Sequence, residues 1–355
     1  MKTIILTGGG TAGHVTPNLA LLPSLKEEGY DIHYIGSYNG IEKRLIEGAG
    51  IPYDGISSGK LRRYFDWKNF SDPFRVLKGY GEALHLMKKY KPDVVFSKGG
   101  FVSVPVVLAA KHYKVPTIIH ESDMTPGLAN KICIPSARKV CCNFPETLNY
   151  LPKEKAVLTG SPIRAELLKG DRTSGLQYSH LSGEKPVILV IGGSLGAVKV
   201  NQAVRSILPK ILESFEVIHI CGKGNVDESL IGTKGYVQYE YVDSPLKHLF
   251  AAADLIISRA GANSICEILT LKKPNILIPL SAAASRGDQI LNANSFEKQG
   301  FSAVLEEEKM NDETLLDLIR TTYANKDTYV EKMASSSLND AVSTVMSLIR
   351  EAAEK

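Results

Sequence analysis

Residues 4–14 read Ile-Ile-Leu-Thr-Gly-Gly-Gly-Thr-Ala-Gly-His, an apolar run entering a turn with Gly8, Gly9, Gly10 and Gly13 and closing on His14. A related turn returns at 191–197 as Ile-Gly-Gly-Ser-Leu-Gly-Ala. A glycine turn between a strand and a helix lets backbone N–H groups approach an anion, and the helix dipole favours negative charge there. Two such turns point to two phosphate-bearing ligands. Gly8-x-Gly10-x-x-Gly13 also fits the dinucleotide fingerprint, but that reading needs an acid at the end of the second strand. Tyr34-Ile35-Gly36-Ser37 has none there, so a diphosphate without adenosine is expected.

His14 stands where the first helix should begin, and a helix N-terminus disfavours imidazolium, which keeps the ring neutral near pH 7. It is a candidate base, with direct donation to a phosphate as the alternative. Phe96-Ser97-Lys98-Gly99-Gly100-Phe101 follows another apolar run and forms a second small turn. Ligands of open parallel sheets collect at the carboxyl ends of strands, so 8–14, 97–103 and 120–127 should converge. His120-Glu121-Ser122-Asp123 brings acids to that place, with Glu121 either a site group or a buried hydrogen-bonding carboxylate. In the second half, Ser258-Arg259-Ala260-Gly261-Ala262-Asn263-Ser264-Ile265-Cys266-Glu267 opens a helix with small residues. Amides there can reach a phosphate, and Glu267, one turn on, can accept two ribose hydroxyls. The polar loop Ser285-Arg286-Gly287-Asp288-Gln289 suits sugar hydroxyls.

These turns need strands to carry them. Strand-like runs at 3–7, 31–36, 93–97, 115–120, 187–192, 216–221, 254–258 and 275–279 alternate with helix-compatible segments, which predicts α/β architecture with parallel sheets. At 355 residues and 44% apolar content the chain is long enough for two domains. Turn formers at 158–165 place the boundary near 160–165, giving 1–163 and 164–336. Leu338, Ala341, Val342, Val345 and Leu348 or Ile349 recur at helical spacing, and a helix at 337–355 is expected to complete the first domain. Neither a signal-peptide core nor about 18 uninterrupted apolar residues is present, so a cytoplasmic location is expected. Five cysteines without a C-x-x-C pair fit buried thiols better than disulfides or zinc.

The motifs together resemble the GT-B glycosyltransferases, and within them the peptidoglycan N-acetylglucosaminyltransferases. The resemblance rests on 8–17, 98–105, 120–131, 160–164, 192–197 and 258–267, nearly the whole chain. It implies two Rossmann-like domains with parallel sheets facing a central cleft. It implies inverting transfer of N-acetylglucosamine from UDP-N-acetylglucosamine to the 4-hydroxyl of the muramyl sugar of lipid I, forming lipid II. It assigns Thr11, Ala12, Gly13, Arg164, Ser194, Val242, Ala262, Asn263, Ser264, Glu267 and Gln289 to the donor. Gly9, Gly10, Gly99 and Gly100 fall to the acceptor diphosphate, and the base is His14, with Asp123 or Glu121 behind it. Ala12, Ser122-Asp123 and Gly287-Asp288 depart from the usual pattern. No Asp-x-Asp metal motif occurs, and neither metal nor cofactor is expected.

Net charge is only +4, yet 60–91 holds nine Lys or Arg against three acids. With Phe65, Trp67 and Phe70 among the cations, this stretch suits an anionic membrane surface through 60–80 rather than nucleic acid. The protein is then expected at the cytoplasmic face of the membrane, peripherally held, with other cell-wall synthesis proteins as further partners. Phe74, Leu77, Tyr80, Leu84 and Met87 form one helical stripe, expected to pack on the sheet and leave 60–73 to touch lipid. Two alternatives remain at this point. One is an epimerase or hydrolase of UDP-N-acetylglucosamine on the same fold, the other a non-catalytic UDP-sugar sensor at the membrane.

Overall fold

Short β-branched runs alternate with amphipathic segments, and they fold into two parallel sheets. The computed structural model describes residues 1–59, 68–192, 196–282 and 287–354, with side chains described outside 68–73. The chain divides into two compact units, Met1–Arg164 with Asp340–Lys355, and Ala165–Asn339. Arg164 therefore closes the first unit rather than opening the second.

The first unit carries seven strands in the order β3-β2-β1-β4-β5-β6-β7. They are β1 (Thr3–Thr7), β2 (Asp31–Ser37), β3 (Tyr53–Ile56), β4 (Val94–Ser97), β5 (Thr117–Glu121), β6 (Lys139–Cys142) and β7 (Ala156–Leu158). β1 lies between β2 and β4, with Leu6 opposite Tyr34 on one side and Phe96 on the other. The strand order reverses between β1 and β4, the place where an open parallel sheet leaves a crevice beyond its strand ends.

Buried strands of this kind are apolar on both faces, and two clusters cover them. On one face Ile4, Leu6 and Phe96 pack with Leu21 and Leu25 of helix Thr16–Glu27. Val345, Met346 and Ile349 of the carboxyl-terminal helix Ala341–Ala353 join that cluster. Each such side chain contributes about 1.5–3 kcal/mol on burial, so the tail is an integral part of the first core. On the other face Ile5 and Val95 pack with Ala83 and Met87 of helix Lys68–Tyr90. Toward its amino-terminal end that helix behaves differently from expectation. Phe74 is 74% and Leu77 66% exposed, whereas Ala83 and Met87 are buried, so only the later part of the stripe packs on the sheet. Residues 60–67 lie outside the described residues.

The second unit repeats the plan with six parallel strands in the order β10-β9-β8-β11-β12-β13. They are β8 (Val187–Ile191), β9 (Glu216–Ile220), β10 (Tyr236–Tyr239), β11 (Leu255–Ser258), β12 (Asn275–Leu277) and β13 (Ala303–Val304). Ile188, Val190, Leu255 and Ile257 form its core with Val200 and Val204. All five cysteines are buried free thiols. No helix among the described residues is long and apolar enough to cross a membrane.

Candidate active site

The two strands flanking the reversal in the first sheet each end in glycines, and the two turns bond to each other. Gly9 N–H donates to Gly99 O at 3.3 Å, and Lys98 N–H donates to Thr7 O at 2.9 Å. Only glycine permits this approach at Gly100, whose φ is +85° and where a Cβ would meet Gly9 O. Thr11 then leads into a short 3₁₀ turn, Ala12–His14, ahead of helix Thr16–Glu27. His14 thus ends a tight turn two residues before the helix, rather than standing at the helix start itself. Its Nδ1–H donates to Gly9 O at 2.9 Å, which leaves Nε2 as the unprotonated nitrogen of the neutral ring. Burial, and after it the charge of Lys98, holds the His14 pKa below the ordinary histidine value.

Lys98 is buried under these turns. Its Nζ donates to His120 Nδ1 at 2.7 Å and to the Ser122 hydroxyl, while His120 Nε2–H donates to Gly160 O at 2.8 Å. Burial and the Lys98 charge keep His120 neutral, well below its usual range. Glu121 is buried and committed: it accepts from Asp123 N–H at 2.9 Å, Gly127 N–H at 3.0 Å and Asn130 Nδ2 at 2.8 Å. It shapes the loop that presents Asp123. The structure thus brings 8–14, 98–103 and 120–127 together at one end of the sheet. Beside them lies a cavity of about 620 Å³, bordered by Gly10, Tyr38, Ser57, Arg75 and Lys78.

Sequence reasoning did not single out Lys98 as a functional residue, and it looked for an acid only in the second strand. Glu42, from the first turn of helix Ile41–Gly48, reaches the end of β2 from the following element and is fully buried there. Its one available trace was the crowding of Gly9, Gly36 and Gly40, each of which would drive a Cβ onto this side chain.

In the second unit the corresponding places lie after β8 and β11. Gly196, at φ +75°, stands where a Cβ would meet Cys221 O, and helix Val198–Ser206 follows. Ser194 falls outside the described residues. Beneath the turn, Asn201 bonds His219 Nε2 at 2.9 Å and Cys221 O at 2.9 Å, and His219 Nδ1 bonds the Tyr236 hydroxyl at 2.9 Å. Burial, and after it the charge of Arg205, depresses His219 to about 3, so its ring is neutral. After β11, Gly261 caps helix Ala262–Thr270, whose first turn is Ala262, Asn263 and Ser264, and Glu267 stands half-buried one turn on.

Arg259 does not project from this turn. It donates to Ile278 O at 3.1 Å and Pro279 O at 3.3 Å and pairs with buried Glu307 at 2.5 Å, which Lys199 also meets at 2.8 Å. Gln289 accepts Leu280 N–H at 3.0 Å and so ties helix Asp288–Lys298 to the end of β12. Val242 is buried in the segment after β10. The structure thus gathers most donor candidates on one unit, whereas Thr11, Ala12, Gly13 and Arg164 belong to the other.

Models of the glycosyltransferase family 28 N-terminal and C-terminal domains match residues 4–142 and 187–348. A Lachnoclostridium phytofermentans protein named UDP-N-acetylglucosamine--N-acetylmuramyl-(pentapeptide) pyrophosphoryl-undecaprenol N-acetylglucosamine transferase is 67% identical over 99% of both chains. The chain belongs to this transferase family. A Lachnospira eligens transferase of the same name is 65% identical, again over 99% of both chains. The crystal structure of Acinetobacter baumannii MurG matches with a TM-score of 0.79 at 28% identity, covering 99% of this chain and 100% of that one. A putative UDP-N-acetylglucosamine 2-epimerase from Listeria monocytogenes matches at TM-score 0.66 and 12% identity over 100% and 97% of the two chains. That likeness is one of fold alone. The transferase thus has the GT-B architecture, and its glycine turns lie at the strand-order reversal of each sheet.

Proposed function

We propose that His14 is the base of the transfer. The chain moves N-acetylglucosamine from UDP-N-acetylglucosamine to the 4-hydroxyl of the muramyl sugar of lipid I, giving lipid II for peptidoglycan synthesis. As the sugar C1–O bond to UDP breaks, UDP leaves with the electron pair. The acceptor oxygen bonds C1 on the opposite face, and its proton passes to His14 Nε2. The observation that carries this reading is the His14 Nδ1–H bond to Gly9 O, which leaves Nε2 as the acceptor in a ring kept neutral near pH 7. Glu121 would have to abandon three hydrogen bonds to serve instead, and we read it as the support of Asp123.

On the donor side, the amides at 262–264 take up charge growing on the diphosphate, Glu267 accepts the ribose hydroxyls, Val242 reads uracil, and the Gln289 amide nitrogen meets the sugar. Arg164, Ser194 and the 11–13 turn add donor contacts, while Gly99 and Gly100 border the acceptor diphosphate. In this structure the Gly9 and Gly10 amides point into the protein, to Gly99 O and Glu42. The reading therefore gives diphosphate donation to later amides of the turn. The test is transfer of radiolabelled N-acetylglucosamine to a short-chain lipid I analogue. His14→Ala should lower kcat by about 10²–10⁴ without releasing acceptor-independent hydrolysis. Undiminished turnover would remove His14 from the chemistry, and label released equally without acceptor would favour a hydrolase.

The acceptor is a lipid, and Phe74 and Leu77 stand exposed beside exposed Arg75 and Lys78 on one helix. We read this patch, with 60–73, as the peripheral contact with the anionic cytoplasmic face of the membrane. Phe74→Ser with Leu77→Ser should cut sedimentation with anionic vesicles about tenfold or more, since each removes an apolar side chain from lipid. Unchanged sedimentation would contradict that assignment.

A further inference from the structure

Glu42 is completely buried, yet none of the chemistry above uses it. Its Oε1 accepts from Ser37 N–H at 3.1 Å and from the Ser37 hydroxyl, and its Oε2 accepts from Gly10 N–H at 3.3 Å. Three glycines make room for it: a Cβ on Gly9 would lie 2.5 Å from Oε1, one on Gly36 2.9 Å from Cγ, and one on Gly40 would overlap the carboxylate. A buried carboxylate is unfavourable unless hydrogen-bonded, so its place here, with three donors and three glycines arranged around it, calls for a reason.

The partners supply one. The N–H of Gly10 and the C=O of Gly9 belong to the same peptide group. Glu42 holds the N–H end, and His14 Nδ1–H holds the C=O end at 2.9 Å. Carboxylate, peptide group and imidazole therefore form one continuous chain of hydrogen bonds. Bonds in such a chain polarise one another: a carboxylate on the N–H makes the C=O a stronger acceptor. A carboxylate hydrogen-bonded directly to a catalytic imidazole fixes its tautomer and steadies the imidazolium formed when it takes a proton. Here the peptide group stands between the two.

We propose that Glu42 is a positioning residue that acts on His14 through the Gly9–Gly10 peptide group, fixing the Nδ1–H tautomer and stabilising the protonated ring during transfer. The relay rests on the reading of His14 as the base. The Gly9 bond, the Asp123 charge and then the Glu42 charge raise the His14 pKa, against the larger downward effects of burial and Lys98.

The experiment is a double-mutant cycle in the lipid I analogue assay with the full chain. Glu42→Gln should lower kcat roughly tenfold or more, leave the KM for UDP-N-acetylglucosamine within about twofold, and move the acid limb of kcat/KM to lower pH. Glu42→Asp, which keeps the charge, should recover part of kcat. In a His14→Ala background, Glu42→Gln should cost less than twofold, because the group it acts through is gone. An equal loss in both backgrounds, or an unmoved acid limb, would overturn the relay. Full activity in His14→Ala would instead overturn the base assignment. Should Glu42→Gln fail to fold, ¹⁵N-histidine NMR of the unaltered protein decides the point. A His14 ring protonated on Nδ1 supports the relay, and one protonated on Nε2 sinks it.

Discussion

The two glycine turns have the same position in their sheets but rest on different foundations. Under the first lie charges: Lys98 on one side, Glu42 on the other, with His14 and His120 between donors and acceptors. Under the second lies a network of Asn201, His219 and Tyr236 whose one charge is the Arg205 guanidinium, which bonds Cys221 Sγ, Asn225 O and Gln238 and has no carboxylate opposite it in those bonds. The second unit's most buried ion pairs, Arg259 and Lys199 with Glu307, lie apart from that turn and tie β11 to the segments after β12 and β13. A turn that only grips a diphosphate needs rigid amides, which the bonds of Asn201, His219 and Arg205 supply. A turn that also handles a proton needs its histidine tuned, and nearby buried charge does that at short range. On the proposal that His14 is the base, this contrast assigns the acid–base work to the first unit.

The largest effect should come from breaking the charged set of the second unit. Glu307→Gln removes a buried carboxylate and leaves the mostly covered Arg259 without its partner, and loss of one partner of a buried pair costs about 3–5 kcal/mol. Hydrogen exchange should show the loss in β11 and β12 while β1 and β4 keep their protection. Equal loosening of both sheets would blur the contrast.

A smaller effect sharpens the contrast from the other side. The Lys98 charge, after burial, helps push His14 down, so Lys98→Met should move the acid limb of kcat/KM to higher pH. The sign follows from the base being active when unprotonated: a higher pKa means activity is lost sooner as pH falls. His219→Gln, in the second unit, should leave that limb where it is. A limb that moves with His219 and not with Lys98 would reverse the assignment of roles.

Much of the plan was legible because buried parallel strands are written as short apolar runs. β1, β2, β4, β5, β8, β9, β11 and β12 all coincide with such runs. Of the strands left unmarked, β3, β7, β10 and β13 are sheet edges, where burial is incomplete and the code weakens, whereas β6 is interior and buried from Val140 to Cys142 but too short a run, Lys-Val-Cys-Cys, to read as a strand. β3 reads Tyr-Asp-Gly-Ile, β7 has three half-buried residues, and β13 has only two residues. The carboxyl-terminal helix was legible from spacing, since Val345, Met346 and Ile349 face one core. The stripe from Phe74 to Met87 shows the limit of spacing: it marks one helix face but not where that face stops being covered. Convergence of the glycine turns with 120–127 followed from topology. The supports did not, because Lys98, Glu42 and Glu307 act through burial and through partners far away in the chain, such as Lys98 with His120 and Glu42 with Gly10.

The central claim is that the second unit holds the nucleotide and the first unit moves the proton. Calorimetric titration of UDP into the unaltered chain, Glu267→Ala and His14→Ala tests it most directly. The account predicts that Glu267→Ala weakens UDP about tenfold or more, as loss of a charged acceptor for ribose hydroxyls should. His14→Ala should bind UDP as the unaltered chain does while failing to transfer sugar. UDP affinity untouched by Glu267→Ala would contradict it.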